Sequence, residues 1–284
     1  MSLDKVKHLQ TCSLNSQVML DYFRALMPDV RVFKLTPLGK GLSNDNFLIE
    51  SSIGPLLLKS YRDNFPILAL NSQLQLAHCH EVTAKVHAWS EAMRIAVFEF
   101  LPGIDSPTTL TKELLQTVIT VHQFEPSSLE ANYLDIIPLL KPLEKSLVGN
   151  VKEALAWSIA QLEQHPKTQA FCHNDLVREN LIISKERTKI IDFEYCASND
   201  IFFDLAALCC SFDMTMSQSS NMLALYYDLQ QQPLPEYADI KLAAYRCGYL
   251  LLSIQWYEQR GYVELADPLL RQLDQCVAQI PPSR

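Results

Sequence analysis

Two short stretches decide how this chain is interpreted, His173–Asn180 (HNDLVREN) and Ile191–Tyr195 (IDFEY). Together they supply two carboxylates, Asp175 and Asp192, and the carboxamide of Asn180. Phosphoryl transfer from ATP requires Mg²⁺ held by hard oxygen ligands and a group that accepts the proton of the attacking hydroxyl. The spacing is typical of a kinase-type site, with Asp175 as the base and with Asn180 and Asp192 as Mg²⁺ ligands.

The residues between these stretches predict a β-hairpin. Leu181–Ser184 and Lys189–Ile191 are apolar runs rich in β-branched residues, and a polar segment separates them. Antiparallel pairing returns the chain to its starting point, so Asn180 and Asp192 are expected at the same end of the hairpin. An isolated Asp or Asn in a loop is usually a turn or cap residue, but the joint pattern favours a shared metal ion.

Composition excludes several classes of function. With 284 residues and 48% hydrophobic content, the chain is long enough to bury a sizeable core in two lobes. A net charge of -8 is not the basic footprint of a nucleic-acid-binding protein. No run approaches the ~20 apolar residues of a membrane span, and the amino terminus lacks a basic region followed by an apolar one. The eight cysteines show no paired spacing and predict free thiols, so we expect a cytoplasmic protein without a membrane or nucleic-acid partner.

Hydrophobic periodicity predicts a small mixed part followed by a mostly helical one. In the first part, the pattern favours a helix over Asn15–Met27, three strands over Arg31–Leu38, Asp45–Glu50 and Leu56–Tyr61, and a hairpin of Val82–Ser90 with Arg94–Leu101. In the second part, helices are predicted over Lys112–Phe124, Val148–Gln164, Phe202–Asp213, Ser217–Gln230, Tyr237–Gln259 and Val263–Ala278.

A glycine-bearing turn joins the first two predicted strands, and a lysine lies on the third. Glycine permits close approach of the backbone to phosphates, although any hairpin turn can use glycine. The lysine is placed where a cation can reach the α- and β-phosphates. No Walker A pattern occurs in the chain. The candidate nucleotide contacts in this region are Gly39, Gly41, Ser43, Asn44 and Lys59.

The two motifs resemble the catalytic and metal motifs of bacterial choline kinases, in the larger group that includes thiamine kinases and aminoglycoside phosphotransferases. Gly41–Asn44, followed by Phe47, is similar to the Gly-Leu-Ser/Thr-Asn loop of the choline kinase group. The resemblance implies an α+β, protein-kinase-like, two-lobed fold that uses ATP and Mg²⁺. A nucleotide-binding lobe with a small antiparallel sheet and a helix would occupy residues 1–102. A mostly helical lobe, with the catalytic loop and the acceptor site, would occupy residues 103–284.

The resemblance also implies further roles. His173 and Asp204 would support the catalytic loop, and Glu99 and Leu101 would lie in the hinge whose main chain binds adenine. The chain departs from the family pattern at one point. The family lysine pairs with a glutamate on the following helix, whereas no acidic residue occurs from residue 64 to residue 80. Asn71, Gln73 or a carboxylate outside that helix would then orient Lys59.

Aromatic and acidic residues gather near the carboxyl terminus, at Tyr245, Tyr249, Trp256, Tyr257 and Glu258. Such residues can enclose a quaternary ammonium group through cation–π contacts. The same aromatic residues at helical spacing are equally typical of a helix-packing core. The candidate acceptor contacts are Tyr249, Trp256 and Tyr257, together with Glu194 beside Asp192.

These observations predict a kinase that uses ATP and Mg²⁺ to phosphorylate the primary hydroxyl of a small cationic alcohol such as choline or ethanolamine. Thiamine and aminoglycosides are alternative acceptors. A kinase-like module that binds a nucleotide or metabolite without turnover is an alternative of another class. The missing helix glutamate favours the module, and the intact Asp175, Asn180 and Asp192 disfavour it. A Ser/Thr protein kinase is disfavoured because the chain lacks Asp-Phe-Gly after the hairpin and Ala-Pro-Glu further on.

Overall fold

The computed structural model describes residues 16–39, 42–127, 133–183 and 188–280. The chain divides into two compact units, Met1–Pro102 and Gly103–Arg284. Among the described residues, no helix combines the length and the apolar character that a membrane span requires.

The first unit is built on a five-stranded antiparallel sheet with the strand order β1-β2-β3-β5-β4. Its elements are helix α1 (described over residues 16–26), β1 (Val32–Leu38), β2 (Asn44–Ser51), β3 (Gly54–Tyr61), α2 (Ile67–His80), β4 (Val86–Ser90) and β5 (Ile95–Glu99). The three predicted amino-terminal strands and the first helix are confirmed. The fourth strand begins at Val86 rather than at the predicted Val82, and residues 83–84 instead accept hydrogen bonds from the Gln73 side chain in the middle of α2.

The core of the first unit lies between α1 and one face of the sheet. Met19 and Phe23 are one helical turn apart on α1 and pack against alternate residues of the central strands. The strand side of this core is formed by Phe47, Ile49, Leu56, Leu58, Ile95 and Val97. Strand β5 lies between β3 and β4, and its first four residues are buried. The burial of these residues explains why the sequence of β5 is a continuous apolar run.

The second unit is mostly helical. Its helices are α3 (Lys112–His122), α4 (Ile137–Leu140), α5 (Gly149–Gln164), α6 (Ile201–Ser211), α7 (Met216–Leu229), α8 (Ala238–Gln259) and α9 (Val263–Gln279), with 3₁₀ turns at Lys141–Lys145 and Arg178–Asn180. Its strands are β6 (Ile104–Asp105), β7 (Gln169–Cys172), β8 (Leu181–Ile183), β9 (Thr188–Ile190) and β10 (Ala197–Asp200). They form a three-stranded sheet, β6-β8-β9, and a two-stranded ribbon, β10-β7, all antiparallel. The predicted α+β class, with a small sheet followed by a mostly helical part, is confirmed.

Helix α6 is the buried centre of the second unit. Its residues from Ile201 to Cys210 are all buried, as expected for a helix that is apolar on every side. Asp200 caps its amino terminus by accepting a hydrogen bond from the Phe202 backbone N–H at 3.1 Å. The ammonium of Lys241 on α8 lies 2.6 Å from the Asp200 carboxylate, and both side chains are almost completely buried. This ion pair fixes the start of α6, which carries Asp204 one turn later.

Candidate active site

The catalytic loop runs from the end of β7 to the start of β8 and turns back on itself. The Val177 N–H donates to the Asp175 carbonyl at 2.9 Å, and the Asn180 N–H donates to the Val177 carbonyl at 3.0 Å. The tightly turned Arg178–Asn180 segment brings Asn180 back towards Asp175. Its carboxamide nitrogen donates to the Asp175 backbone oxygen at 2.9 Å and to Oδ2 at 3.1 Å. The carboxylate of Asp175 is therefore oriented by the side chain of a predicted metal ligand.

The hairpin carries Asp192 to the same end as Asn180. Leu181 pairs with Ile190, and the Ile191 N–H donates to the Asn180 carbonyl at 2.9 Å, so the pairing extends one residue beyond the strands. Asp192 follows immediately, with its backbone in the left-handed region at a φ of 66°. Few residues other than glycine adopt this conformation outside turns and functional sites. The predicted hairpin is confirmed over its described residues.

His173 and Asn174 bind the catalytic loop to the loop that contains Asp192. The Asp175 N–H donates to Nδ1 of His173 at 3.2 Å, and Nε2 of His173 lies 2.8 Å from the Ile191 carbonyl. Because an amide N–H only donates and a carbonyl only accepts, Nδ1 of His173 accepts the first bond and Nε2 donates the second. The Asn174 carboxamide donates to the Tyr195 carbonyl at 3.0 Å. The two contacts lie on either side of Asp192 and fix its position relative to Asp175.

Asp204 holds the backbone of the catalytic loop. Its side chain is fully buried, with Oδ2 accepting from the His173 N–H and Oδ1 from the Asn174 N–H, each at 2.7 Å. The second of these donors belongs to a residue in the left-handed conformation, with a φ of 63° at Asn174. The Asn174 side-chain oxygen also accepts from Asn199 on β10 at 2.7 Å. The carboxylate and the strand together hold a loop conformation that the backbone would not favour alone.

Sequence analysis did not identify His122 and Tyr226 as part of this region. Nε2 of His122 lies 3.1 Å from Asp204 Oδ2, and its Nδ1 lies 2.7 Å from the Tyr226 hydroxyl. The ligand atoms of His122, Cys172 and Asp204 lie within 4.8 Å of one another. Burial raises the pKa of the Cys172 thiol well above its usual range, and the thiol donates to the Asn199 carbonyl. We therefore assign this cluster to hydrogen bonding, since each of its polar groups already has a partner.

The electrostatics of Asp175 suit a general base. Burial, together with the negative charges of Asp192 and Glu194, raises the pKa of its carboxyl group to about 6, although the neighbouring His173 and the Asn180 hydrogen bond act in the opposite direction. Such a carboxylate is ionised at neutral pH and is a better proton acceptor than an ordinary aspartate. The neighbouring negative charges and the hard oxygens of Asn180 and Asp192 fit a site for Mg²⁺, whose charge would relieve the repulsion.

Two predicted acceptor residues lie close enough to Asp175 to interact with its charge. Burial, and then the charge of Asp175, raises the pKa of the Tyr249 hydroxyl well above its usual range. The pKa of Tyr257 is raised by burial and by the charges of Asp175 and Glu179. Both tyrosines lie on α8, two turns apart on neighbouring parts of one face. Both hydroxyls therefore lie within electrostatic range of the proposed base.

The carboxyl-terminal cluster was predicted to be either an acceptor site or a helix-packing core, and its other residues differ in which of the two they fit. Trp256 packs edge-on against Tyr257, with ring centroids 5.1 Å apart, and the Arg260 guanidinium lies 4.1 Å above the Trp256 ring. Tyr245 is buried against Phe202 and Phe203, which confirms the core interpretation for this residue. Glu258 is exposed.

The predicted nucleotide contacts of the first unit lie on its sheet and its adjoining loops. Lys59 is buried on β3, with its ammonium 5.2 Å from the centre of the Tyr61 ring. Asn44, at the start of β2, is also buried and pairs with Tyr61 in the sheet. Glu99 ends β5, and its carboxylate accepts from the Lys85 N–H at 3.3 Å.

The other predicted contacts of this unit lie outside regular structure. Gly39 is exposed, Ser43 is half-buried, and Leu101 follows the end of β5. Gly41 lies outside the described residues. Helix α2 contains no acidic residue, and its Gln73 donates to the Thr83 hydroxyl at 3.3 Å and to the Ala84 carbonyl at 3.1 Å.

A family model and a curated relative both match parts of this sequence. The family model described as "Phosphotransferase enzyme family" matches residues 34–257. Protein LicA of Haemophilus influenzae is 49% identical over 37 residues, which are 13% of this chain and 14% of that protein. The match to that relative therefore spans about a seventh of its length.

Two solved structures show the fold. The choline kinase LicA from Streptococcus pneumoniae superimposes with a TM-score of 0.72 and 20% identity, covering 92% of this chain and 99% of that chain. A thermostable mutant of the aminoglycoside phosphotransferase APH(4)-Ia, in a ternary complex with AMP-PNP and hygromycin B, gives a TM-score of 0.67 at 14% identity, covering 87% and 94% of the two chains. These similarities confirm the predicted kinase-like fold. Because the family model matches most of its length, the chain belongs to the phosphotransferase enzyme family.

Proposed function

We propose that this phosphotransferase uses ATP and Mg²⁺ to phosphorylate the primary hydroxyl of a small cationic alcohol of the choline or ethanolamine type. One observation supports this more than any other. The carboxylate of Asp175 has a pKa raised to about 6, is oriented by Asn180, and lies close enough to Asp192 and to the tyrosines of α8 to interact with them electrostatically. This arrangement supports a site in which a proton acceptor, a metal-binding pair and an aromatic surface would serve one reacting hydroxyl.

Asp175 would accept the proton of the acceptor hydroxyl as that oxygen attacks the γ-phosphate. Phosphoryl transfer leaves little covalent work for the protein, so most of the acceleration would come from alignment and from neutralising charge. The Asn180 hydrogen bonds keep the carboxylate in one orientation. Its raised pKa matches the base to neutral pH, where a general base is most effective.

Asn180 and Asp192 would hold Mg²⁺ through the side-chain oxygen of the amide and through the carboxylate. Mg²⁺, when bound, would offset the negative charge of the phosphates. The complex of APH(4)-Ia with AMP-PNP supports ATP as the donor nucleotide. In the first unit, Lys59 would contact the phosphates with Gly39, Gly41, Ser43 and Asn44, and the main chain of Glu99 and Leu101 would bind the adenine.

A cationic acceptor fits the chemistry around Asp175. Tyr249 and Tyr257, with Trp256 packed against the latter, provide aromatic faces that attract an ammonium group. The charge of Glu179 affects Tyr257, and that of Glu194 affects Asp175, so two further carboxylates lie in this neighbourhood. The similarity to the choline kinase LicA from Streptococcus pneumoniae supports the same acceptor class.

Aminoglycosides are the second candidate, because APH(4)-Ia in its complex with hygromycin B shares the fold. Thiamine also combines a permanent cation with a primary alcohol. A panel of choline, ethanolamine, thiamine and hygromycin B, assayed for ADP release with Mg·ATP and the purified chain, separates these acceptors. We expect choline or ethanolamine to give the largest stimulation. Absence of stimulated ADP release with all four would contradict the proposal and favour the non-catalytic module.

A further inference from the structure

A buried polar network contacts Asp204 at the same carboxylate oxygen that holds the catalytic loop. It consists of His122 on α3 and Tyr226 on α7. The His122 side chain is 2% exposed and that of Asp204 is 0% exposed, and Tyr226 is among the largest fully buried side chains. Buried polar side chains are costly to desolvate, so these two residues, together with the Asp204 that they reach, call for an explanation.

The carboxylate of Asp204 must keep one orientation to hold the catalytic loop. The His173 N–H donates to Oδ2 and the Asn174 N–H donates to Oδ1, so the carboxylate must stand at one particular angle for both bonds to form. His122 contacts the same oxygen that holds His173, at 3.1 Å. An ionised carboxylate only accepts hydrogen bonds, so Nε2 of His122 must carry a proton. The imidazole is therefore a further donor that fixes the orientation of the Asp204 carboxylate.

Tyr226 in turn fixes the His122 ring. Its hydroxyl lies 2.7 Å from Nδ1, and the two rings meet at a steep angle with centroids 5.8 Å apart. Helices α3 and α7 thus each contribute one member to a chain of contacts that ends at the catalytic loop. Secondary contacts of this kind orient the groups that act directly.

We propose that His122, held by Tyr226, is a positioning residue for phosphoryl transfer. It orients Asp204, which sets the backbone of His173 and Asn174 and thereby the carboxylate of Asp175. The proposal rests on the proposed function, in which Asp175 is the base. A displacement of about 1 Å at a reacting group costs roughly a hundredfold in rate, so a small rotation of Asp204 would reduce kcat.

The alternative is that the network only fills the core. In that case, its loss would lower stability without changing turnover by the protein that remains folded. A positioning role predicts a fall in kcat with little change in the KM for ATP. It also predicts weaker protection of the His173 and Asn174 amides against hydrogen exchange, because Asp204 is their acceptor.

Four variants distinguish these roles. His122→Leu removes the donor, His122→Gln retains a side-chain N–H near the position of Nε2, and Tyr226→Phe removes only the hydroxyl. Leu162→Ala truncates a buried residue of α5 and serves as a control for stability loss alone. Steady-state kinetics and amide exchange of the full chain, the latter without substrate, are measured for each.

We expect His122→Leu to lower kcat by about tenfold to a hundredfold, with faster exchange at residues 173 and 174 and a KM for ATP within about twofold. His122→Gln should recover most of the activity, and Tyr226→Phe should show a smaller loss of the same kind. If His122→Leu does not fold, Tyr226→Phe provides the test. Unchanged kcat and exchange in folded variants, or changes equal to those of Leu162→Ala, would overturn the proposal.

The exchange measurement separates this proposal from the proposed function. It requires no acceptor, so it reports on the hold of Asp204 on the loop even if no alcohol is phosphorylated. A wild-type chain without turnover would refute the proposed function. Unchanged exchange at residues 173 and 174 in the His122 and Tyr226 variants would instead refute the network.

Discussion

The carboxamide nitrogen of Asn180 lies 3.1 Å from the carboxylate oxygen Oδ2 of Asp175 and 2.9 Å from the Asp175 backbone oxygen. Both bonds are donated by the amide nitrogen, so the amide oxygen is available to bind a cation. A single side chain would therefore orient the base and bind the metal. This coupling makes the site sensitive to changes at either residue.

Removal of the Asp175 charge should stabilise the protein at neutral pH. The pKa of this carboxyl group is raised in the folded chain from 3.8 to about 6, so the folded chain binds its proton more tightly than the unfolded chain does. The resulting stabilisation is present below a pH of about 4 and is lost as the pH rises through about 6. Asp175→Asn should therefore raise the free energy of unfolding at neutral pH by about 1–2 kcal/mol, after allowance for partial exposure.

Urea denaturation across this pH range, with EDTA present, measures the effect. The gain should disappear at the acid end, where the wild-type carboxyl group is also neutral. Asp29→Asn, at an exposed position, is the control and should show no such pH-dependent gain. A loss of stability in Asp175→Asn at neutral pH would contradict the assigned electrostatics.

Asp192 and Glu194 form a matched pair, two residues apart and both half-buried. Because Asp192 is the proposed metal ligand, Asp192→Asn should weaken the binding of Mg²⁺ with AMP-PNP by about tenfold or more, as measured by titration calorimetry. Glu194→Gln should leave nucleotide binding nearly unchanged and should raise the KM of a cationic acceptor. Equal effects of the two changes on nucleotide binding would argue against Asp192 as a specific ligand.

The aromatic face of Tyr257 should contribute to binding of a cationic acceptor. Tyr257→Leu should raise the KM for choline by about two- to thirtyfold, which corresponds to a cation–π contribution of ~0.5–2 kcal/mol. Tyr257→Phe keeps the ring and should change the KM much less. The KM for ATP should be the same in both variants. Equal KM values for choline in the Leu and Phe variants would remove Tyr257 from the acceptor site.

The buried pair of Lys241 and Asp200 should be coupled in stability. Lys241→Met leaves the Asp200 carboxylate without its cation and should cost about 3–5 kcal/mol, whereas the double change Lys241→Met/Asp200→Asn should cost less than the two single changes added together. Urea denaturation of the four proteins gives the coupling energy. Additive losses would indicate that the two side chains do not stabilise each other.

The local parts of the site could be predicted from sequence because their geometry follows from neighbours in the chain. The hairpin that joins Asn180 to Asp192 is encoded by two apolar runs and a polar turn, and the structure pairs Leu181 with Ile190 as that pattern requires. Strands β7 and β10 were not predicted. Each strand has only four residues. Strand β10 is also largely polar, and its Asn199 and Asp200 side chains are used in buried hydrogen bonds.

The long-range parts could not be predicted. His122 and Tyr226 are 104 positions apart, and each occurs within an apolar helical pattern that gives no sign of a polar partner. Tyr245 and Tyr249 have the same helical spacing on α8. Only tertiary packing shows that both are buried against Phe203, and that Tyr249 in addition interacts with the charge of Asp175.

The central claim, that Asp175 is the base for phosphorylation of a small alcohol, is tested most directly by one comparison. The formation of phosphorylated choline or ethanolamine from Mg·ATP is followed by ³¹P NMR for the wild-type chain and for Asp175→Asn. We predict product formation by the wild type and a rate at least ~100-fold lower in the variant, with unchanged affinity for AMP-PNP. A variant that forms the product at the wild-type rate would contradict the account.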